Sequence, residues 1–319
     1  MARNCIGVDL AKDFLEVCVP VRGRSRVANR PKAVARWVAG LGETDFVVYE
    51  ATSGCDRPLR VALAEAGRAG ARVNPLHAWH YARSRNRAKT DRLDAALLAD
   101  YGRERQPAPD PAPDPALDPA REALRALVGR RDQLRRMEVQ EKNRLSGCLG
   151  EGAPALVVRD VRAGLARLAR SLARIEAAIR DEVAGDATLA RDAGLLRSIP
   201  NIGPVTAVTL LAWLAELGHT SRRAAASLAG VAPRARDSGK HRGRRFLGDG
   251  RRQVRRALYM AALSELRHPG FLADFVRRKK EAGKPGKVIL MAVARRLLVV
   301  ANAVLRTGEP FRTAIPTAA

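Results

Sequence analysis

Four acidic residues stand where carboxylates can bind a metal ion. Asp9 ends the apolar run Cys5 to Val8, and Glu50 closes the apolar stretch FVVYE. Asp91 and Asp94 are three residues apart at the start of a predicted helix, so they share one helix face. Carboxylate oxygens without histidine or thiolate suit hard cations such as Mg²⁺ or Mn²⁺. Two such ions about 3.5 to 4 Å apart can clamp a phosphodiester during in-line displacement.

Each of these acids also has a purely structural interpretation. Asp91 can simply favour a helix N-terminus. Asp94 can pair with Lys89 or Arg92, and Glu50 can be a surface acid. Metal binding is the favoured interpretation because all four acids fall at predicted strand ends or at the start of one helix.

Alternating strand and helix signals surround these acids. The first hundred residues read as three strands, a helix, a strand, a helix, a strand and two helices. That order predicts a mixed five-stranded sheet flanked by helices, as in ribonuclease-H-like nucleases. The strands ending in Asp9 and Glu50 lie side by side in such a sheet, so the two acids can meet.

A proline-rich segment divides the chain. Residues 106–119 read QPAPDPAPDPALDP, which favours an extended linker after a first domain over residues 1–105. Leucines and isoleucines then recur every three or four residues over 120–185, with a break near 147–154. This pattern predicts a helical hairpin, either a coiled coil within or between chains or part of an ordinary bundle. Residues 190–319 are mainly helical, so the fold class is α/β plus all-α.

The composition indicates the partner. The formal net charge of +25 favours strong, salt-sensitive binding to double-stranded DNA or another nucleic acid. A membrane partner is not expected, because aromatic anchors make up only 4% of residues and no apolar run approaches the roughly 20 residues of a spanning helix. The N-terminus lacks a signal-peptide pattern, and four cysteines without CxxC spacing suggest buried, reduced thiols. We therefore expect a cytoplasmic protein.

The mainly helical domain holds two candidate phosphate-binding elements. The segment from Ser198 to Leu214 resembles a helix-hairpin-helix, in which a turn at Ile202 and Gly203 offers backbone N–H groups to phosphate. A simple capped helix start is the alternative. Residues 234–256 hold ten Lys or Arg and two Asp among glycines, so they favour phosphate contact over a merely solvated basic face.

The predicted nucleic-acid contacts include basic residues of both domains: Lys89, Arg234, Arg236, Lys240, Arg242, Arg244, Arg245, Arg251 and Arg252. Ser238 lies among them, and a serine hydroxyl becomes a nucleophile only where a base, a metal or a positive field favours its alkoxide. Histidines, including His77 and His80, lack zinc-site spacing. The tryptophans Trp37, Trp79 and Trp213 are expected in the core rather than stacked on bases.

Several ordered motifs carry a family resemblance. GVDLAK around Asp9, YEATSG around Glu50 and KTDRLDA around Asp91 and Asp94 resemble the DEDD transposases of the IS110 insertion-sequence family. IPNIGPVTAVTLLAWL and LAGVAPRARDSGKHRG resemble the second signature of that family, so the resemblance covers essentially the whole chain. LGDGRRQVRRAL differs, because it lacks the asparagine of an RGN-like element often found there.

The resemblance implies a RuvC-like domain that binds metal through the four acids, a coiled-coil segment, and a C-terminal domain with a catalytic serine, matched by Ser238. It further implies recombination through a covalent serine–DNA intermediate, with a structured bridge RNA as guide. A homo-oligomer, dimer or tetramer, is expected because recombination must hold two duplexes. The nucleoid of a bacterial cell is the expected place of action.

Two other functions fit the residues. A junction-resolving nuclease would use only the four acids and would hydrolyse DNA with water. An architectural nucleic-acid-binding protein would keep the acids for structural reasons and would break no strand. Replacing Ser238 or Asp9 distinguishes these alternatives.

Overall fold

The computed structural model describes residues 3–20, 22–51, 54–85, 91–110, 117–233, 237–238, 241–242, 246–248 and 250–312, with the backbone alone for 91–93, 237–238 and 241–242. The chain forms two compact units, Met1–Leu117 and Asp118–Ala319. The boundary falls within the proline-rich segment.

The N-terminal unit is a mixed sheet with helices. Its strands are β1 (Asn4–Leu10), β2 (Phe14–Val19), β3 (Gly23–Ala28), β4 (Asp45–Glu50) and β5 (Gly70–Val73), and its helices are α1 (Pro31–Ala39), α2 (Arg57–Glu65), α3 (Pro75–Ser84) and α4 (Asp91–Arg105). The sheet order is β3-β2-β1-β4-β5. Strand β1 is antiparallel to β2 and parallel to β4. The predicted element order and the mixed five-stranded sheet are confirmed.

Alternation along β1 separates two apolar layers. Ile6, Val8 and Leu10 pack with buried residues of α1 and α2 on one face. Cys5 packs with Val48 of β4 and Leu98 of α4 on the other face. Because side chains alternate along a strand, every second residue of β1 from Cys5 onward faces the α4 layer.

Helix α4 lies directly against β1 because small residues stand at the contact. A Cβ on Gly7 would be 1.9 Å from the Ala95 carbonyl oxygen, and a Cβ on Gly102 would be 2.7 Å from Val48 Cγ2 and 3.0 Å from Cys5 Cβ. These contacts place the Ala95 end of α4 near Gly7 and its later turns near Cys5. The helix therefore runs opposite to β1, with its first turn at the carboxyl end of the strand.

The first part of the proline-rich segment is attached to the sheet edge. The Asp110 N–H donates to the Gly70 carbonyl at 2.7 Å, and its carboxylate accepts from the Arg72 N–H at 3.1 Å and the Tyr49 hydroxyl at 2.6 Å. Arg3 donates to the Pro107 carbonyl at 3.2 Å. Residues 106–110 thus belong to the N-terminal unit.

The C-terminal unit begins with two long helices. They are α5 (Pro119–Gly150) and α6 (Ala155–Gly185), and they are followed by α7 (Ala187–Arg197), α8 (Pro204–Trp213), α9 (Arg222–Leu228), β6 (Asp237–Ser238), β7 (His241–Arg242), α10 (Arg252–Arg267), α11 (Ala273–Glu281) and α12 (Gly286–Thr307). Asp118 caps α5 by accepting from the Ala120 N–H at 3.0 Å. The long helices pack on each other and turn at residues 151–154, within the predicted break.

The base of the long hairpin joins the helical core. Leu124 and Val128 of α5 are fully buried among residues of the later helices. A buried Arg131 donates to Asp132 at 2.9 Å and to the Thr209 hydroxyl of α8 at 3.1 Å. Farther along, the hairpin has its own small cluster of buried leucines, and beyond it Met137, Val139, Leu149, Leu156 and Val157 are exposed.

Helix α12 runs through the centre of this core. It is the one helix among the described residues that is long and apolar enough to cross a membrane by composition. Its buried side chains, including Val293, Leu297 and Leu298, belong to the same apolar cluster as α7, α8 and α10. Burial within the helical unit accounts for its hydropathy.

Candidate active site

Asp9 and Glu50 stand next to each other at one edge of the sheet. The parallel register of β1 and β4 pairs Val8 with Tyr49, and the acids are the next residues on each strand. Asp9 is two residues beyond Gly7, and Glu50 is two beyond Val48, so both belong to the face that α4 covers. Both acids are half-buried. The sheet therefore presents two carboxylates on one face at its carboxyl edge.

The start of α4 brings the other two acids to the same edge. Asp91 is the first residue of the helix, and Asp94 precedes Ala95, the residue that contacts Gly7. Positions 91, 94, 95 and 98 share one helix face, and Leu98 is buried against the sheet. Asp94 is half-buried, and for Asp91 the structure describes the backbone only. All four predicted acids thus come from elements that meet at one place.

This donor set suits a hard divalent cation in its chemistry, because it offers carboxylate oxygens only. Within the described side chains, no three carboxylate, imidazole or thiol groups lie close enough to hold a metal ion. The side chain of Asp91 lies outside that set. Metal binding by these four residues accordingly stays a prediction.

A fifth carboxylate lies beside Asp9. Glu16 of β2 pairs directly with Asp9 in the antiparallel register, and side chains directly opposite in such a pair share one face. Glu16 is only 9% exposed. Arg26 of β3 donates to it from Nε at 2.7 Å and from a terminal nitrogen, and the Arg26 guanidinium lies 4.0 Å from the Phe14 ring centroid. This ion pair neutralises Glu16, so one like charge beside Asp9 is compensated.

The segment that holds Ser238 has fixed ends. Gly250, with φ of 70°, packs so closely on Gly230 that a Cβ would be 2.4 Å from the Gly230 nitrogen. The Arg251 N–H donates to the Leu228 carbonyl at 2.8 Å. Its guanidinium donates to both oxygens of Glu216 at 2.5 and 2.6 Å. Arg251 therefore anchors the return of the chain, and a phosphate contact from it would require breaking this pair.

Ser238 lies in a two-stranded hairpin. Strands β6 and β7 pair antiparallel, with Ser238 opposite His241 in the backbone register. Of Ser238 and Arg242 the structure describes the backbone only. Arg252, at the start of α10, is exposed. The remaining predicted contacts lie outside the described residues: Lys89, Arg234, Arg236, Lys240, Arg244 and Arg245.

The predicted helix-hairpin-helix turn connects α7 to α8. Ile202 is 3% exposed, and its N–H donates to the Ile199 carbonyl at 3.1 Å. Gly203, Pro204 and Val205 are exposed at the start of α8. The first N–H groups of a helix have no partner within it, so the backbone that this turn offers to a ligand is that of Gly203 and Val205.

A buried carboxylate fixes this turn. Asn201 has φ of 67°, and its Nδ2 donates to Glu265 Oε2 of α10 at 2.5 Å. Glu265, 1% exposed, also accepts from the Gly270 N–H at 2.9 Å and the Leu272 N–H at 3.0 Å. The Ser264 hydroxyl donates to Asn201 Oδ1 at 2.7 Å. Asn201 is thus held in the left-handed backbone region by a network centred on Glu265, which accepts three hydrogen bonds.

The tryptophans and cysteines only partly follow the sequence expectation. Trp37 and Trp213 pack against buried clusters, as expected. The core interpretation is wrong for Trp79, which is 45% exposed and has the Arg83 guanidinium 4.9 Å from its ring centroid. Cys5 is buried, which raises the pKa of its thiol, while the other three cysteines are half-buried. All four are free thiols.

Comparison with known proteins defines the class. A transposase model for IS110-type DEDD elements matches residues 6–154, and a model described as the transposase IS116/IS110/IS902 family matches residues 193–277. The first spans the sheet, α4 and α5, and the second spans the core of the helical unit. The protein is a transposase of the DNA-recombining class. In particular, the chain belongs to the IS116/IS110/IS902 family, whose DEDD site implies a divalent metal.

Individual relatives agree with this assignment. The chain is 29% identical over 98% of its length, and 98% of theirs, to the pilin gene-inverting proteins of Moraxella lacunata and Moraxella bovis. It is 33% identical to an uncharacterized protein of insertion element IS116 from Streptomyces clavuligerus over 39% of this chain and 32% of that protein. The full-length relatives match both units.

Sequence reasoning missed the buried acids, of which Glu16 lies beside Asp9 and Glu265 holds the turn before α8. A charged residue in the middle of the apolar strand FLEVCV was a usable signal for Glu16, because central strands rarely bury an unpaired charge. Glu265 gave no such signal, because an acid within the amphipathic helix RQVRRALYMAALSELR resembles a surface residue. Its role depends on contacts with residues far away in the sequence.

Proposed function

We propose that this protein is a site-specific DNA recombinase of a mobile element that cuts and rejoins DNA through a covalent bond between Ser238 and DNA. The acids Asp9, Glu50, Asp91 and Asp94 would hold a divalent metal, Mg²⁺ or Mn²⁺. The observation that carries the proposal is the placement of Asp9, Glu50 and the first turn of α4 on one face at the carboxyl edge of the sheet.

The acids would supply the oxygen ligands of a metal ion beside the phosphodiester that reacts. The metal, when bound, supplies positive charge that stabilises the extra negative charge of phosphoryl transfer. The Glu16 carboxylate is already paired with Arg26. Among the described side chains of β1, β2 and β4, the other carboxylates on the α4 face are those of Asp9 and Glu50.

The serine step conserves the energy of the bond that it breaks. The Ser238 oxygen loses its proton and forms a bond to phosphorus, while the phosphorus–oxygen bond to one deoxyribose breaks and the leaving oxygen gains a proton. Attack by another deoxyribose hydroxyl reverses these changes and releases Ser238. Strands are then rejoined without a nucleotide cofactor. The contact between Gly230 and Gly250 supports this role, because it fixes both ends of the serine segment on the helical core.

Partners follow from the same reaction. Double-stranded DNA is the substrate, and a structured bridge RNA is the proposed guide. Two duplexes must be held together, so we propose a homo-oligomer. The exposed apolar residues of the distal α5–α6 hairpin, including Met137 and Leu156, support contact between copies there. The name of the Moraxella relatives, which denotes gene inversion, favours exchange of defined DNA segments.

The test is detection of a covalent protein–DNA adduct. The purified protein is incubated with Mg²⁺, labelled DNA from an element end and the flanking transcript, and the products are separated on denaturing gels. We expect an adduct with the wild-type protein and none with Ser238→Ala or Asp9→Asn. A loss of at least about a thousandfold in rate is expected for removal of a catalytic nucleophile or metal ligand.

Matched controls come from the exposed surface. Ser227→Ala on α9 and Asp160→Asn on α6 remove the same groups at exposed positions and should leave the adduct unchanged. Metal-dependent cutting that persists in Ser238→Ala would identify a hydrolytic nuclease instead. DNA binding with no strand breakage under any condition would identify an architectural protein.

A further inference from the structure

A basic groove lies on the C-terminal unit. Its volume is about 820 Å³, and it is formed where α9, α11 and α12 meet. Among the lining residues that the structure describes, none is an acid and five are cations: Arg222, Arg223, Lys279, Arg295 and Arg296. We call this feature the α11–α12 groove. These cations come from helices that are distant in sequence, and the packing of α9, α11 and α12 brings them together.

The positive charge of the α11–α12 groove is not compensated by the protein. Within the described part of the chain, none of its five cations forms an ion pair. Neighbouring arginines outside the groove do form ion pairs. Arg277 of α11 is 2.8 Å from Asp274, and Arg256 of α10 is 3.0 Å from Asp132. Uncompensated charge in a concave site produces a strong attraction for anions.

Phe275 lines the groove and contacts two of its cations. The Arg296 guanidinium lies 4.7 Å from the Phe275 ring centroid, and the Lys279 Nζ lies 5.6 Å from it. Cation–π contacts hold both charged groups in place without neutralising them. The groove therefore presents positive charge around a single aromatic ring, and positive charge of this kind attracts phosphates.

We propose that the α11–α12 groove binds the phosphate backbone of duplex DNA without sequence preference. The inference rests on the proposed function, since that reaction acts on DNA, and it adds a second holding site beyond the serine segment. Successive phosphates along a strand can engage several of the five cations at once, whereas a single small anion would engage only one or two. Arginine, which provides four of the five, suits the paired oxygens of phosphate.

The test compares two variants of the full-length protein that lose the same charge. Arg222→Gln with Arg296→Gln removes two groove cations. The control, Arg277→Gln with Arg312→Gln, removes two cations that are already paired with Asp274 and Glu309. Affinity for a duplex of mixed sequence is measured over a salt series. The slope of log affinity against log salt should fall by about 1 per lost contact in the groove variant and by clearly less in the control.

Other results would overturn the proposal. Equal changes in the groove variant and the control would mean that only net charge matters. A loss of affinity confined to an RNA of the same length would assign the groove to RNA. Thermal unfolding establishes that both variants are folded.

The two experiments test the groove assignment and the serine mechanism separately. If the wild-type protein forms the Ser238 adduct while the groove variant binds DNA like the control, only the groove assignment is wrong. If the groove variant loses affinity for DNA but no adduct forms with any protein, the groove stands and the serine mechanism is wrong.

Discussion

At the scale of single residues, Tyr49 shows how burial links stability to pH. Its side chain is 1% exposed, and its hydroxyl donates to Asp110. Burial, together with the adjacent Asp110 carboxylate, raises the pKa of Tyr49 far above its usual range. The folded protein consequently retains a proton that the unfolded chain releases above about pH 10.

We expect the free energy of unfolding to fall as pH rises above about 10, because the unfolded state then binds fewer protons than the folded state. Tyr49→Phe should make this fall shallower by about 1.4 kcal/mol per pH unit. Denaturant unfolding of the full chain between about pH 8 and pH 11 measures it. Tyr259→Phe, at an exposed tyrosine of α10, serves as the control. Identical slopes in both variants would contradict the assignment.

At the scale of elements, the contact of α4 with β1 decides where the acids meet. Gly7 lets the backbone of α4 approach the strand, and a Cβ there would overlap the Ala95 carbonyl oxygen. The direction of the helix then brings Asp94 to the edge where Asp9 and Glu50 stand. One glycine therefore determines the distance between two halves of the predicted metal site.

Gly7→Ala should displace α4, lower the stability of the N-terminal unit by roughly 1 to 3 kcal/mol and abolish DNA cleavage. Calorimetric unfolding and the adduct assay measure the two effects. Gly147→Ala is the matched control, because nothing lies within 4 Å of a Cβ at this position in α5. It should stabilise the helix by about 0.5 to 1 kcal/mol. Full cleavage by a stable Gly7→Ala protein would show that the contact does not position the site.

Local pattern was enough to predict the elements but not their contacts. Strand alternation and the acids that end β1 and β4 were readable because burial imposes a period of two on each strand. The hairpin of α5 and α6 was readable from its leucine spacing. Three features depend on residues that are distant in sequence. They are the approach of α4 to Gly7, the hydrogen bond between Asn201 and Glu265, and the α11–α12 groove. No single segment carries the signal for such contacts.

At the scale of the whole molecule, the net charge of +25 governs how the protein meets DNA. Many basic residues can each displace a counterion from a phosphate, which makes affinity depend steeply on salt. The charge also favours fast, sequence-independent association before any site is found. Specific recognition must come from another source, for which the proposed bridge RNA is the candidate.

We expect affinity for a duplex of random sequence to fall by about a thousandfold or more between roughly 50 and 200 mM salt, as for proteins with six to ten phosphate contacts. Fluorescence anisotropy with the full-length protein measures this dependence. Addition of sucrose instead of salt is the control, because it changes the solvent without supplying ions. A flat response to salt would indicate that binding does not depend on phosphate contacts.

The contact between Gly230 and Gly250 has an evolutionary consequence. Because the chain leaves and rejoins the helical core at a single point, the free energy of closing the intervening loop changes only slowly with its length, by about 0.6 kcal/mol for each doubling. Insertions and deletions in the segment between these glycines can therefore be tolerated during evolution without refolding of the unit that holds it, as long as the segment keeps Ser238.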